Sequence, residues 1–124
     1  MKPLVTILTA TAMASISVEV GAVATETFQR LSSAQIRAKF TGMQLTDKVH
    51  WRDVYERDGT LRSYSMGHRS VGKWSVGKDE LCLDLQHPDG GCFEVWLSGT
   101  RVEMRPSGLG LPTEGVLQTP ADRN

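Results

Sequence analysis

The chain has 124 residues, with 14 basic side chains, 14 acidic side chains and two cysteines. A chain of this length holds one small domain rather than several. Its neutral formal charge argues against nucleic acid or an anionic membrane as the main partner.

The first residues follow the pattern of a secretory signal peptide. Lys2 precedes an apolar run from Leu4 to about Val18, and Ala22-Val23-Ala24 supplies the small residues of a cleavage site. The run is shorter than the roughly 18 to 20 residues of a spanning helix, and Glu19 ends it. We therefore expect cleavage after Ala24, a periplasmic or secreted protein, and no stable membrane insertion after cleavage.

The segment that follows the leader predicts one short helix at about residues 33–40. Ser32 and Gln35 have the spacing of a capping box, and Gly42 is a suitable C-terminal stop. The residues that can share one apolar face of this helix are Leu31, Ile36 and Phe40.

From Met43 onward, short apolar runs alternate with Gly, Asp and Pro signals, as in an antiparallel meander. The predicted strands lie near 43–47, 50–56, 60–66, 71–76, 81–86, 92–97, 100–105 and 115–118. The fold class is therefore mainly β, an antiparallel meander that forms a small barrel or a sandwich with one short N-terminal helix. We expect a single β domain over residues 25–118 and a disordered tail over residues 119–124.

Turn signals predict the register of the hairpins. The expected turns are Arg57-Asp58-Gly59, a Gly67 to Ser70 loop, a Gly77 to Glu80 loop, a loop centred on His87, and Ser98-Gly99. The expected cross-strand pairs are Tyr55 with Leu61, Ser63 with Trp74, Val76 with Leu81, Leu81 with Phe93, and Val95 with Val102. Strand alternation then turns the apolar side chains inward and a mixture of charged side chains outward.

The two cysteines lie on the outer face of this arrangement, directly across neighbouring strands. Cys82 and Cys92 are within disulfide reach at such a position, and an exported chain meets an oxidising environment. A zinc site needs more ligands at tight spacing, and a redox pair favours C-x-x-C at a helix start. We predict a structural disulfide, no metal and no cofactor, with His87 as a solvated turn residue. A labile disulfide or a metal sensor is the alternative interpretation of this stretch.

Polar residues on the inner face form a candidate ligand pocket. Asp53, Ser63 and Ser65 are predicted to converge among the aromatic side chains of Trp51 and Trp74, which is the usual composition of a small-ligand site. In the alternative interpretation, the serines are small spacers opposite Trp74, and Asp53 reaches water or an arginine near a strand end.

The order of motifs also resembles a known pattern. "VGKWSV", "ELCLDL" and "GGCFEVW" resemble the G-x-W, L-C and second-cysteine strands of small exported proteobacterial proteins of unknown function. This resemblance implies a periplasmic β domain and assigns no catalytic residue. Gly72-Lys73-Trp74 is also similar to the G-x-W of lipocalins, although it lies in the middle of the chain here.

Common catalytic motifs are missing from the sequence, which has no G-x-S-x-G, Walker A or GxGxxG. We therefore predict a non-enzymatic binding or accessory protein whose partner is a periplasmic protein or a small molecule. The alternatives are a small-ligand-binding barrel, and a hydrolase or isomerase that uses Asp53 with Ser63 or Ser65.

Overall fold

The computed structural model describes residues 2–5, 9–17, 26–86 and 90–120. These residues form one helix and nine strands. The elements are β1 (Gln29–Arg30), α1 (Ser33–Phe40), β2 (Gln44–Thr46), β3 (Trp51–Tyr55), β4 (Thr60–Ser65), β5 (His68–Gly77), β6 (Glu80–Asp84), β7 (Gly91–Ser98), β8 (Arg101–Pro106) and β9 (Thr113–Gln118). The predicted cleavage site after Ala24, the turn residue His87 and residues 121–124 of the tail lie outside the described residues.

Strands β2 to β9 form an antiparallel meander that closes into a barrel. Each strand pairs with the next along the chain, and β9 pairs back onto β2 through Leu117 opposite Leu45. Closure leaves the eight barrel strands without free edges. β1 is a short addition that pairs with the end of β7 through Gln29 opposite Leu97. The predicted fold class is confirmed, and the meander forms a barrel rather than a sandwich.

Three of the predicted cross-strand pairs are confirmed and two are wrong. Tyr55 lies opposite Leu61, Val76 opposite Leu81, and Leu81 opposite Phe93. The turn between β4 and β5 is Met66-Gly67, so Ser63 meets Ser70 instead of Trp74. Both turn residues have positive φ, at 50° and 84°, as a type I′ hairpin requires.

The hairpin between β7 and β8 turns at Gly99-Thr100 instead of Ser98-Gly99. Ser98 pairs with Arg101, and Val95 therefore meets Met104 rather than Val102. Gly99 has a φ of 62° at the first central position, where a type II′ turn favours glycine. Both errors displace the register by an even number of residues, so the inward and outward faces stay as predicted.

The helix packs at one end of the barrel. It begins at the predicted capping box, in which Ser32 Oγ accepts from the Gln35 amide and Gln35 Oε1 accepts from the Ser32 amide. Its first turn is tied to the β5–β6 turn, because the Ser33 amide donates to Asp79 Oδ1 over 2.8 Å. Ile36 and Phe40 are fully buried against the barrel core. This helix covers the end at which the β3–β4, β5–β6 and β7–β8 turns also lie.

The described part of the leader takes no part in the barrel sheet. Residues 2–5 and 9–17 are exposed and contain neither helix nor strand. Within the described residues, no helix has the length and apolar character needed to cross a membrane.

Candidate functional site at the open end of the barrel

The barrel encloses a cavity of about 520 Å³ at the end opposite the helix. Four of the five predicted pocket residues line it, namely Trp51, Asp53, Ser63 and Ser65. They come from β3 and β4, which are neighbours with Asp53 opposite Ser63 and Trp51 opposite Ser65. A cavity of this size falls within the range of small-molecule sites, about 300 to 1,000 Å³.

Asp53 and Ser63 form the polar feature of the cavity wall. Ser63 Oγ donates a hydrogen bond to Asp53 Oδ1 over 2.6 Å, and both residues are partly buried. The contact follows from the register, because directly paired residues on one face bring their side chains together. Among the described residues that line the cavity, Asp53 is the single titratable side chain.

The opposite wall of the cavity is apolar. Its side chains come from Leu83 in β6, Leu85 directly after β6, Phe93 in β7 and Met104 in β8. Strand alternation predicted the inward orientation of the leucines and of Phe93. The cavity therefore has one hydrogen-bonding wall and one apolar wall.

The β8–β9 connection contributes side chains that the sequence analysis did not assign to any site. Leu109 and Leu111 line the cavity together with Pro106, the last residue of β8, although the two leucines also remain largely exposed to solvent. The alternating stretch Gly108-Leu109-Gly110-Leu111, in a segment bounded by Pro106 and Pro112, was the available sequence signal.

Trp74 does not line this cavity. Its ring packs edge to face against Tyr55, with the centroids 5.7 Å apart, and its Nε1 donates to the Glu56 carbonyl oxygen over 2.8 Å. Tyr55 in turn packs edge to face on Phe40, with the centroids 5.1 Å apart. This aromatic stack fills the helix end of the barrel, and Trp74 belongs to the packed core.

Tyr55 lies next to Asp53 on the inward face of β3 and is fully buried. Its hydroxyl oxygen has no hydrogen-bond partner within the described part of the chain. Burial raises the pKa of the Tyr55 phenol well above its usual range, and the negative charge of Asp53 adds to this effect. The phenol is therefore neutral at ordinary pH.

A hydrogen-bonded loop borders the mouth of the cavity at residues 47–50. Asp47 Oδ1 accepts from the backbone amides of Val49, His50 and Trp51, and Asp47 Oδ2 lies 2.9 Å from His50 Nδ1. Partial burial acts to raise the pKa of Asp47. The hydrogen bonds from the Trp51, Val49 and His50 amides and from the His50 ring outweigh it, and they hold this pKa well below its usual range. The carboxylate fixes the conformation of the loop.

Cys82 and Cys92 form the predicted disulfide across β6 and β7. Glu80 lies close enough to both sulfurs to suggest a metal-binding group. Metal binding by cysteine requires thiolates, and disulfide sulfurs carry no ionisable proton. The arrangement is a covalent crosslink on the outer face.

The described lining of the cavity can orient a bound molecule. General acid or base catalysis uses a titratable side chain within hydrogen-bond reach of the reacting group, and Asp53 is the titratable side chain of the described lining. The described lining offers hydroxyl groups and apolar side chains beside this carboxylate, with no histidine or lysine. A carboxylate and a hydroxyl on one wall can orient a ligand whose remainder packs against the other wall.

The fold and the cavity define the class of this protein as an eight-stranded antiparallel β-barrel with an accessible interior. Comparison with known proteins gives no match to a protein-family model, to a curated protein or to a solved structure.

Proposed function

We propose that this chain is an exported, non-enzymatic barrel that binds a small amphipathic molecule at its open end. In the bound state, an amine or hydroxyl group of the ligand donates a hydrogen bond to Asp53. Its apolar part packs on Leu83, Leu85 and Phe93. The observation that carries this proposal is the Asp53–Ser63 pair, which faces an apolar wall across an open cavity.

The chemistry of Asp53 favours a ligand with a donor group over one with a carboxylate. An ionised carboxylate accepts hydrogen bonds and attracts cations, whereas it repels another anion. Ser63 donates to Asp53, and its own oxygen lone pairs can also accept a hydrogen bond. A protonated primary amine can donate one hydrogen bond to the Asp53 carboxylate and another to Ser63 Oγ, and its positive charge is attracted to Asp53.

Two further observations support export as part of the proposal. The leader has the signal-peptide pattern, and its described residues lie outside the barrel sheet. The Cys82–Cys92 disulfide is consistent with an oxidising compartment. A resemblance to small exported proteobacterial proteins of unknown function belongs to the same proposal, on the basis of the G-x-W and cysteine motifs.

Tryptophan fluorescence, to which Trp51 at the cavity wall contributes, allows a test of the proposal. Octylamine, octanol and octanoate share one apolar chain and differ in the head group, so they serve as matched probes. We expect saturable quenching or enhancement by octylamine, weaker binding of octanol, and the weakest binding of octanoate. A thermal shift that grows with probe concentration provides a second measurement of the same binding.

Asp53→Asn is the decisive variant because asparagine keeps an acceptor for Ser63 and removes the charge. We expect octylamine affinity to fall by roughly 10- to 100-fold, the value of a charge-assisted hydrogen bond. Octanol affinity should change little. Asp84→Asn is the matched control, since Asp84 is exposed at the end of β6 and does not line this cavity. Equal octylamine binding by the wild type and Asp53→Asn would contradict the assigned role of Asp53.

A further inference from the structure

Exposed apolar side chains are concentrated around the mouth of the barrel. Among residues 26–86 and 90–120, five large apolar side chains are markedly exposed. Val49, Met66, Leu109 and Leu111 are each at least 70% exposed, and they lie on the three described connections at the open end. The fifth, Val71, lies on β5. Exposed apolar side chains that are grouped around one opening, rather than scattered singly, indicate an interaction surface.

Basic side chains lie beside these apolar tips. A surface hollow of about 580 Å³ runs from the β2–β3 loop to the β4–β5 turn and contains Val49 and Met66. The basic residues that line it are Lys48, His50, Arg52, His68 and Arg69. No aspartate or glutamate is present in the described lining of the hollow.

The lysine and arginine side chains of this hollow are not paired with carboxylates in the described structure. Lys48, Arg52 and Arg69 form no salt bridge with any described carboxylate. The guanidinium of Arg52 lies 3.9 Å from the centre of the Tyr64 ring, which orients it without cancelling its charge. The neighbouring Asp47 carboxylate keeps its negative charge while it accepts hydrogen bonds from three backbone amides, so Lys48, Arg52 and Arg69 together still outnumber it. The open end therefore combines positive charge with exposed apolar side chains.

We propose that the open end of the barrel docks on the surface of an anionic phospholipid bilayer. Apolar side chains at loop tips enter the boundary between head groups and acyl chains, and adjacent lysine and arginine side chains pair with anionic head groups. The tips lie on separate loops around an opening. A fluid interface accommodates each tip independently, whereas a protein partner would have to supply a matching pocket for each.

The neutral net charge of the chain argues against an anionic membrane as the main partner. However, net charge is a sum over the whole chain and does not show how the charges are distributed over the surface. Salt bridges pair Arg62 with Glu56 and Arg105 with Glu103 elsewhere on the barrel surface. In the described lining of the hollow at the mouth, no acidic side chain offsets the basic ones. Electrostatic attraction to a surface depends on the charges that face it within about a Debye length.

The docking surface is continuous with the cavity, because Trp51 and Ser65 line both. A barrel that rests on a bilayer with this end has its cavity open toward the lipid. The docking proposal depends on the exposed apolar and basic side chains at the mouth, and it does not require a ligand in the cavity.

Flotation of the full chain with lipid vesicles tests the proposal. One vesicle preparation contains phosphatidylcholine, and the other contains phosphatidylcholine mixed with phosphatidylglycerol. We expect at least tenfold stronger binding to the anionic vesicles, and this preference should decrease as salt is added. The apolar run of the leader is the same in every variant, so differences between variants report on the barrel.

Two double variants and one matched control make the test specific. Lys48→Glu with Arg69→Glu should reduce binding to anionic vesicles at least tenfold, since each lysine or arginine near such a surface contributes roughly fivefold. Val49→Ser with Met66→Ser should reduce binding several-fold. Lys78→Glu with Lys39→Glu makes the same change of charge at the helix end, and binding should stay within twofold. Lys48 and Lys78 both have positive φ, at 69° and 54°, so the two lysine substitutions are made in similar backbone conformations.

Thermal unfolding of every variant confirms that the barrel is intact before binding is compared. Equal binding to the two kinds of vesicle would overturn the proposal, and so would an equal loss in the helix-end control. Absence of binding to anionic vesicles would also overturn it and would direct attention to an acidic protein as the occupant of this surface. Because the octyl probes measure the cavity separately, failure of docking and failure of ligand binding are distinguishable.

Discussion

Cys82 and Cys92 face each other across β6 and β7 with their Cα atoms 4.0 Å apart, while the neighbouring Leu81 and Phe93 point into the core. The disulfide thus joins two strands on the outer face without occupying the interior. Its sequence separation is 10 residues. Closing such a loop restricts the unfolded chain and stabilises the fold by roughly 3 kcal/mol on the chain-entropy model.

We predict that Cys82→Ala with Cys92→Ala lowers the free energy of unfolding by about 2 to 3 kcal/mol, while octylamine still binds in the cavity, whose lining includes Cys92. Urea denaturation followed by tryptophan fluorescence measures the first effect, and the octylamine titration measures the second. Reduction of the wild-type protein should reproduce the loss of stability. Loss of octylamine binding in a variant that remains folded would contradict a purely structural role for the disulfide.

Strand order and face assignment followed from the sequence, because turn residues and alternation report local geometry. The Arg57-Asp58-Gly59 turn was predicted correctly, and Tyr55 does pair with Leu61. Met66 at a φ of 50° was not foreseeable, since left-handed geometry favours glycine and asparagine over methionine. The resulting register error was even, and Ser63 therefore still faces inward beside Asp53.

Features that depend on distant parts of the chain were not predictable in the same way. Closure of the barrel depends on β2 pairing with β9, and no local pattern in either strand specifies that partner. Alternation placed Trp74 on the inner face correctly, but the register error at the β4–β5 turn placed it level with Ser63 along the barrel axis, which is wrong. In the structure, Trp74 lies nearer the helix end, where it packs on Tyr55, and is therefore separated from the cavity that contains Asp53 and Ser63.

Tyr55→Phe should leave stability unchanged or raise it by up to about 1 kcal/mol at neutral pH. The substitution keeps the aromatic stack and removes a buried hydroxyl that has no partner in the described structure. Because burial raises the pKa of Tyr55 in the folded state, the unfolded state releases this proton first as pH increases. Wild-type stability should therefore fall above about pH 10, relative to Tyr55→Phe, by about 1.4 kcal/mol per pH unit.

Denaturation midpoints and slopes measured between neutral pH and about pH 11 test this difference. Tyr64→Phe is the control, since Tyr64 lies on the outer face and its ring contact with Arg52 is available to phenylalanine as well. A loss of more than about 1 kcal/mol in Tyr55→Phe at neutral pH would instead show that the hydroxyl makes a hydrogen bond in solution.

Asp47→Ala should lower the melting temperature by releasing the amides of Val49, His50 and Trp51. Since the pKa of Asp47 is depressed in the folded state, its contribution is present above the ordinary aspartate pKa, near 3.8, and is lost as pH falls through the folded value. The difference from the wild type should therefore be largest near neutral pH and narrow in acid. Asp47→Asn keeps an acceptor oxygen and should retain part of the stability. Asp84→Ala serves as the control, and an equal effect of that substitution would refute the assigned role of Asp47.

Gly72→Ala should be the most disruptive small substitution in the barrel wall. A Cβ atom at residue 72 would overlap the carbonyl oxygen of Asp84 and press on Leu85, so β5 and β6 would have to separate there. Overpacking of this kind costs about 1 to 3 kcal/mol, and displacement of a backbone carbonyl places this case at the upper end. Gly77 lies on the same strand with no atom within 4 Å of a Cβ, so Gly77→Ala should be nearly neutral. Urea denaturation of both variants compares the two sites, and comparable stabilities would contradict the close approach of β5 and β6 at Gly72.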